Sequence, residues 1–449
     1  MRIITMSIIQ LLHYLRVFNI ESLLLGKAFT MRFDSPHHLA IGEARAPIAP
    51  LTGPLTALFA FAVSIIIINL TAAQPLTGPV ARALHLPASL TGLIAMLPQL
   101  GYAVGMLFLV PLADLLENRR LTVMTLACCA LMLALAAVAP TASLFLFAVC
   151  LAGTTSCAIQ ILVPLAAAMA HPDHRGSAVG NVMSGVMLGI LFSRPLASVV
   201  AGTLGWRAFY GILAGLDALL AIALWRWLPL RQPASGQTYP ALVASLWTLW
   251  RREAVLRRYA YSAAIVMAAF GAFWTGIALR LVQTPFSLGS NGVALFALAG
   301  VAGTGVAPLA GSAGDRGYSA VGMPIAHVCL LAGSVLAGIA GIGWLGLNIA
   351  THRDLALALL VAAAIIIDAG AIGDQTLGRR AINMLDPEAR SRLNGLFVGV
   401  FFIGGGIGAA SAGVVWAVTG WAGICMLCLV FSVLAFIGDM IARQRPVMN

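Results

Sequence analysis

Apolar residues come in long runs separated by short polar breaks, with no alternation that would give a helix or strand one wet face. The runs fall near 51–73, 92–112, 121–138, 143–168, 178–204 and 208–228, then near 260–283, 291–312, 320–345, 355–377, 392–418 and 420–441. Roughly 20 apolar residues in a helix cross a hydrocarbon core, and a helix satisfies its own backbone hydrogen bonds there. The pattern therefore predicts an all-α membrane protein of twelve transmembrane helices. Residues 1–50 are too broken for a span, because Leu11, Leu12, Leu15 and Leu23 to Leu25 are interrupted by His13, Arg16, Glu21 and Lys27. They read either as an amphipathic surface helix or as a stretch ahead of a native start at Met31. No cleavable signal is evident.

The longest break, 229–259, divides the spans into two sets of six: 51–228 and 260–441, with a tail at 442–449. Within it Leu242, Leu246, Leu249, Trp250 and Leu256 recur at helical spacing, as in an interfacial amphipathic helix that tethers two halves. The sets are repeats. Shifting residues 172–206 by 215 superposes Pro172, Arg175, Gly180, Gly189, Ala197, Val199, Val200, Gly205 and Trp206 on Pro387, Arg390, Gly395, Gly404, Ala412, Val414, Val415, Gly420 and Trp421. An even number of spans per set makes the two repeats parallel, a known transporter architecture. Gly101 and Gly105, Gly185 and Gly189, and Gly404 and Gly408 sit four apart in the second, fifth and eleventh spans, where small residues let helix backbones approach.

Composition agrees with lipid as the solvent, since 61% of residues are hydrophobic and 9% charged. Orientation follows from Lys and Arg in the short loops. With both termini cytoplasmic, only Arg82, Arg207, Arg280 and Arg353 fall outside, and Arg194 lies inside a span. That asymmetry and anionic headgroups account for the net charge of +11 without a nucleic-acid partner. The expected location is a cell inner membrane. All seven cysteines lie in apolar spans, so no external disulfide is expected, and the CxxC spacing of Cys425 and Cys428 lacks the further ligands of a metal site.

Two loops carry matching acids: GYAVGMLFLVPLADLLENRRL holds Asp114, Arg119 and Arg120, and APLAGSAGDRGYSAVG holds Asp315 and Arg316. Here the chain resembles the major facilitator superfamily, whose signature loop is an acid followed by basic residues. Two positions depart from that pattern: Pro111 stands where the family has glycine, and Leu115 where it has a basic residue. Further stretches resemble the bacterial efflux branch of drug/proton antiporters and sugar or nucleoside exporters. They are NLTAAQP with Asn69 and Gln74, PQLGYAVG with Gln99 and Tyr102, GILFSRP with Arg194, AFWTGIALRLV with Trp274 and Thr275, and DPEARSRLNG with Arg390, Arg392 and Asn394. The resemblance implies that the loop acids hold the inward side shut. Asp114 would face the start of the eleventh span near Arg390 to Asn394, and Asp315 the start of the fifth near Arg175 to Gly180. A carboxylate is stabilised at a helix N-terminus and by nearby arginines.

An ionisable group deep in a span is costly by about 2.5–3.5 kcal/mol on insertion scales and needs a reason. Arg194 and Asp368 lie at depths that permit a pairing between the halves. The resemblance puts the tenth span at the cavity, so Asp368 is the expected proton or cation carrier. Asn69, Gln99, Gln160 and Trp274 are candidates for orienting a solute. Asp217 is expected to snorkel or to pack between helices, Asp374 to be solvated near a span end, and His327 to be packed. No nucleotide-binding loop, metal cluster or hydrolytic triad is visible, so no cofactor, metal or enzymatic reaction is expected, and no obligate protein partner is evident. The leading expectation is a proton-coupled exporter of a small organic solute. An importer of the same fold and a non-transporting receptor or scaffold are the rivals.

Overall fold

The apolar runs become helices because a buried, unpaired peptide group in hydrocarbon costs several kcal/mol. The computed structural model describes residues 51–444 except 172–173, 231–237 and 387–388, with only the backbone at 301, 304 and 315. The expected leader at 1–50, the repeat pair Pro172 and Pro387, and the end of the tail lie outside these residues. Among the described residues all regular structure is helical.

The first span is α1 (Gly53–Thr71) continued past Ala72 by α2 (Ala73–Ala83), ten residues beyond the hydrophobic run. The second is α3 (Leu93–Phe108), which runs into the turn Val110–Asp114, and the third is α4 (Asn118–Val138). The fourth is α5 (Ala142–Thr155) and α6 (Ile159–Met169), followed by α7 (Arg175–Thr203) and α8 (Trp206–Trp227) as the fifth and sixth. The connector helix α9 (Tyr239–Arg252) precedes the seventh span, α10 (Ala254–Leu281). The eighth is in three pieces, α11 (Ser290–Ala297), α12 (Ala299–Thr304) and α13 (Val306–Asp315), because its glycines do not hold a continuous helix. The ninth is α14 (Ser319–Ile342), the tenth α15 (Arg353–Asn383), and α16 (Arg390–Gln444) carries the last two.

Ten of these stretches are individually long and apolar enough to cross a membrane. The 55 residues of α16 would extend about 80 Å at 1.5 Å per residue, more than twice a hydrocarbon core. It reverses at Gly420, where φ is +61°. Counting α16 as two spans and restoring the fragmented eighth gives twelve.

The repeat is visible in backbone geometry. Gly205, the shift partner of Gly420, has φ of +88°, and each glycine is followed by a buried tryptophan, Trp206 or Trp421. Positive φ is strained for any residue with a Cβ. Close helix contacts repeat as well. A Cβ at Gly185 or Gly189 would strike the backbone of Ala60 or Ser64 in α1, and one at Gly404 or Gly408 would strike Ala264 or Ala268 in α10. The fifth span thus packs on the first as the eleventh packs on the seventh.

The arginines expected outside are bound to carbonyls near helix ends. Arg207 donates to Ala139 O (2.7 Å), Arg280 to Gly341 O (3.0 Å) and Arg353 to Phe286 O (2.6 Å), while Arg82 reaches Gly78 O at 3.4 Å. Terminal carbonyls carry partial negative charge, which suits a cation. The two repeats meet where α2 packs on α10, α7 on α11, and α3 on α16.

Candidate functional site

Three of the predicted residues converge at the contact between the repeats. Arg194 of α7, only 5% exposed, donates from Nε to Gln74 Oε1 of α2 at 2.8 Å. Its guanidinium carbon lies 4.2 Å from the ring centre of Trp274 and 5.2 Å from that of Phe270, both on α10. Trp274 Nε1 in turn donates to Asp368 Oδ1 of α15 at 2.8 Å. Arg194 and Asp368 thus both contact the Trp274 indole, and their own attraction acts across a gap wider than an ion pair. A desolvated cation over an aromatic face contributes about 2 kcal/mol.

Gly300 of α12 completes the cluster. A Cβ there would lie 2.7 Å from Asp368 Oδ2, 3.2 Å from Trp274 Cζ2 and 3.6 Å from Arg194 Nη1, and one at Gly303 would strike Asp368 Cβ. The broken eighth span is thus where small residues admit the charged groups. A narrow pocket opens beside Arg194 and Trp274, walled by Pro75, Ile277, Val293 and Phe296.

The other solute candidates lie elsewhere. Asn69 donates to Asp217 Oδ2 of α8 at 2.8 Å, inside the packing of the first repeat. Asp217 is fully buried, so it packs between helices and does not snorkel. Gln99 donates to Ala95 O at 3.0 Å, and its buried Oε1 has no partner. Gln160 donates to the Tyr102 hydroxyl at 3.1 Å, and the Tyr102 ring meets Phe402 of the second repeat edge-on at 4.7 Å.

A second pocket lies near the end of α3, where Asp114 shares the walls with Leu242 and Leu246 of the connector and with Ser391, Arg392 and Gly395 of α16. Arg392 donates to Ser245 Oγ at 3.1 Å, and Tyr239 donates to Phe108 O at 3.0 Å, so α9 bonds to both repeats here. Pro111 is buried in the turn that delivers Asp114. Arg119 lies 3.7 Å from Glu117, Arg390 donates to Asn383 O at 3.1 Å, and Asn394 donates to Arg390 O at 3.1 Å. Arg120, Arg175 and Arg316 are exposed. The Asp315 side chain lies outside the described residues.

One expectation is corrected. Asp374 is not solvated, because α15 continues to Asn383 and buries it completely, bonded to His327 and Ser262. Ser262 gives no sequence signal, being one hydroxyl among many in an apolar run.

A bundle of twelve apolar helices in two parallel repeats, with charged groups buried between the repeats, is the architecture of a multi-pass membrane transporter. Residues 55–376 match the Major Facilitator Superfamily, and the chain belongs to that family. It is 35% identical over 381 residues to an uncharacterized transporter, YgaY, of Escherichia coli O157:H7, covering 85% of this chain and 93% of that one. It is 25% identical over 258 residues to a "Probable sugar efflux transporter" of Helicobacter pylori (strain HPAG1), covering 56% of this chain and 64% of the relative. Among solved structures it resembles a bacterial homolog of the human lysosomal transporter Spinster, in an inward-facing and occupied conformation. The TM-score is 0.67 at 14% identity, over 87% of this chain and 96% of that one. The nucleoside transporter NupG superposes with a TM-score of 0.66 at 14% identity, over 87% and 99%. The protein is a membrane transporter and not an enzyme.

Proposed function

We propose that the chain is a proton-coupled secondary transporter that expels a small organic solute by alternating access. On this reading 51–228 and 260–441 are the two halves that rock, and 229–259 is their cytoplasmic connector. Residues 1–50 and 442–449 are cytoplasmic ends in a cell inner membrane. The observation that carries the reading is the chain Gln74, Arg194, Trp274, Asp368, which links the repeats only through non-covalent contacts. Rocking must break it, and a carboxylate released from an indole N–H into a wet cavity can exchange a proton. The efflux direction is supported by the name of the Helicobacter pylori relative.

Asp114, sharing a pocket with Arg392 at the start of the eleventh span, is the counterpart latch at the opposite end, with Arg119, Arg120 and Arg390 in its loop and facing helix start, and Asp315 with Arg316 is the matching latch of the second repeat, opposite the start of the fifth span near Arg175. Gln99 and Gln160 orient the solute rather than carry charge, whereas Asn69 is held by Asp217 within the first repeat.

Proteoliposome flux tests the reading. A proton gradient should drive uphill solute movement in the wild type toward the proton-rich side, opposite to the flow of protons. Asp368→Asn should abolish that movement while sparing exchange between equal solute pools. Uphill transport that survives Asp368→Asn removes this carboxylate from the coupling. Accumulation along the proton gradient indicates an importer, and no flux of any kind indicates a receptor.

A further inference from the structure

Arg194 is 5% exposed, yet it commits only one of its five N–H groups to the protein. Nε to Gln74 Oε1 is the single hydrogen bond it makes among the described residues. Both terminal nitrogens are left over, and the guanidinium borders the narrow pocket beside Trp274. Asp368, 3% exposed, is in the matching position. Its Oδ1 accepts from Trp274 Nε1, and its Oδ2 accepts from no described residue. The two unused groups border one corner. The point where a Cβ would stand on Gly300 is 2.7 Å from Asp368 Oδ2 and 3.6 Å from Arg194 Nη1. Leaving buried charged donors and acceptors unmade is costly.

Charge, shape and wall chemistry limit what can complete them. Arg194 and Asp368 are each other's only charged neighbours among the described residues, so the ionised pair is neutral as a whole. A solute with a net charge would leave that charge uncompensated inside the membrane. One positive and one negative group on the same molecule add nothing to the total. A planar guanidinium with two free terminal nitrogens matches a carboxylate bidentately, and a free carboxylate oxygen accepts from an ammonium. Apart from Arg194 and the indole, the pocket wall is aliphatic and aromatic, with Ile277, Leu281, Val293 and Phe296. The hydroxyls of a sugar would stay unpaired against it, whereas a hydrocarbon side chain has none to pair.

We propose that the solute is an apolar α-amino acid, bound as its zwitterion between the repeats. Its carboxylate takes the Nη1 and Nη2 edge of Arg194, its ammonium takes the free Oδ2 of Asp368, and its side chain enters the pocket between α10 and α11. Gly300 is then a specificity-determining position, because a side chain there would fill the corner that both charged groups border. The inference rests on the reading of this contact as the solute site. It also suits export against protons, since an ammonium and a proton compete for the same carboxylate oxygen.

The test is thermal unfolding of the full chain in lipid nanodiscs with leucine, and with two molecules that keep its side chain but one charge each, isocaproate and isoamylamine. Leucine should raise the unfolding midpoint, because a ligand of the folded state stabilises it by mass action. Each single-charge analogue should bind at least about ten-fold more weakly, since it leaves one buried charged group unpaired. Glucose should give no shift. Equal binding of either analogue, or of glucose, overturns the proposal. So does the absence of a shift with every one of leucine, isoleucine, valine, methionine and phenylalanine. Arg194→Gln removes the fork and should weaken leucine binding at least about ten-fold, and unchanged binding in the folded variant also overturns the proposal. The analogue series uses the wild type, so it decides the matter even where Arg194→Gln does not fold. Failure of the coupling reading is separable. Leucine that stabilises the chain but is not driven uphill by a proton gradient sinks that reading and leaves the solute class standing.

Discussion

Asp368 and Asp374 lie on the same helix, about 9 Å apart along its axis, and meet different neighbours. Six residues turn an α-helix through about 240° beyond a full turn. Asp368 therefore faces Trp274 and Gly300, while Asp374 faces His327 and Ser262. Neither carboxylate touches an arginine directly, and both accept from a donor on α10. The indole is central to the first of them, because it presents its face to Arg194 and its edge N–H to Asp368. If the indole transmits between these two groups, Arg194→Lys and Trp274→Phe should be non-additive. Lysine keeps the charge but loses the planar guanidinium and its Nε bond to Gln74. Phenylalanine keeps a ring but loses the N–H. Unfolding in detergent should show the double variant departing from the sum of the singles by about 0.5–3 kcal/mol. Strict additivity would mean that the arginine and the indole act separately.

At the scale of elements, lipid offers helices no hydrophobic drive to associate, so contact depends on how closely backbones approach. The fifth span shows both kinds of glycine. Gly189 faces the backbone of Ser64 with no room for a Cβ, whereas Gly180 has nothing within 4 Å. Gly189→Ala should therefore destabilise the protein by about 1–3 kcal/mol through overpacking. Gly180→Ala should be neutral or stabilise by up to about 1 kcal/mol through helix propensity. Thermal unfolding in detergent measures both, and equal effects would show that α7 does not depend on its approach to α1. The four-residue glycine spacing was legible in the sequence. Which face each pair used was not, because spacing fixes a stripe on a helix but not the neighbour it meets. The fracture of the eighth span shows a similar limit. Its richness in glycine was plain, yet only the fold reveals that Gly300 and Gly303 are small because Asp368 lies against them.

For the whole molecule, the distribution of charge predicts how the bundle sits in the membrane. Reporter fusions after residues 117, 245 and 316 should read cytoplasmic, and fusions near 85, 140 and 350 external, because the basic loops are held inside. A reversal within any one repeat would break the twelve-span order. An inverted pattern throughout would instead turn the protein over and exchange the roles of its two ends. Those ends differ in construction. One is closed by α2 on α10 and α7 on α11, and the other is bridged by the connector helix, with Tyr239 on Phe108 and Arg392 on Ser245.

The number of spans, their order and their duplication followed from the sequence alone, because crossing a bilayer is a local property. About 20 consecutive apolar residues suffice, whatever else the chain does. The Gly205–Trp206 and Gly420–Trp421 pairs carried the repeat because a positive φ needs glycine at that one position. Which polar groups meet was decided by the tertiary structure. Trp274 and Asp368 are 94 residues apart, Arg194 and Gln74 are 120, and Ser262 and Asp374 are 112. Whether such groups touch depends on the rotation and packing of whole helices, which no local pattern encodes. Burial follows the same rule. Asp374 looked solvated because charge and position along a span are written in the sequence, whereas the helices that cover a side chain are not.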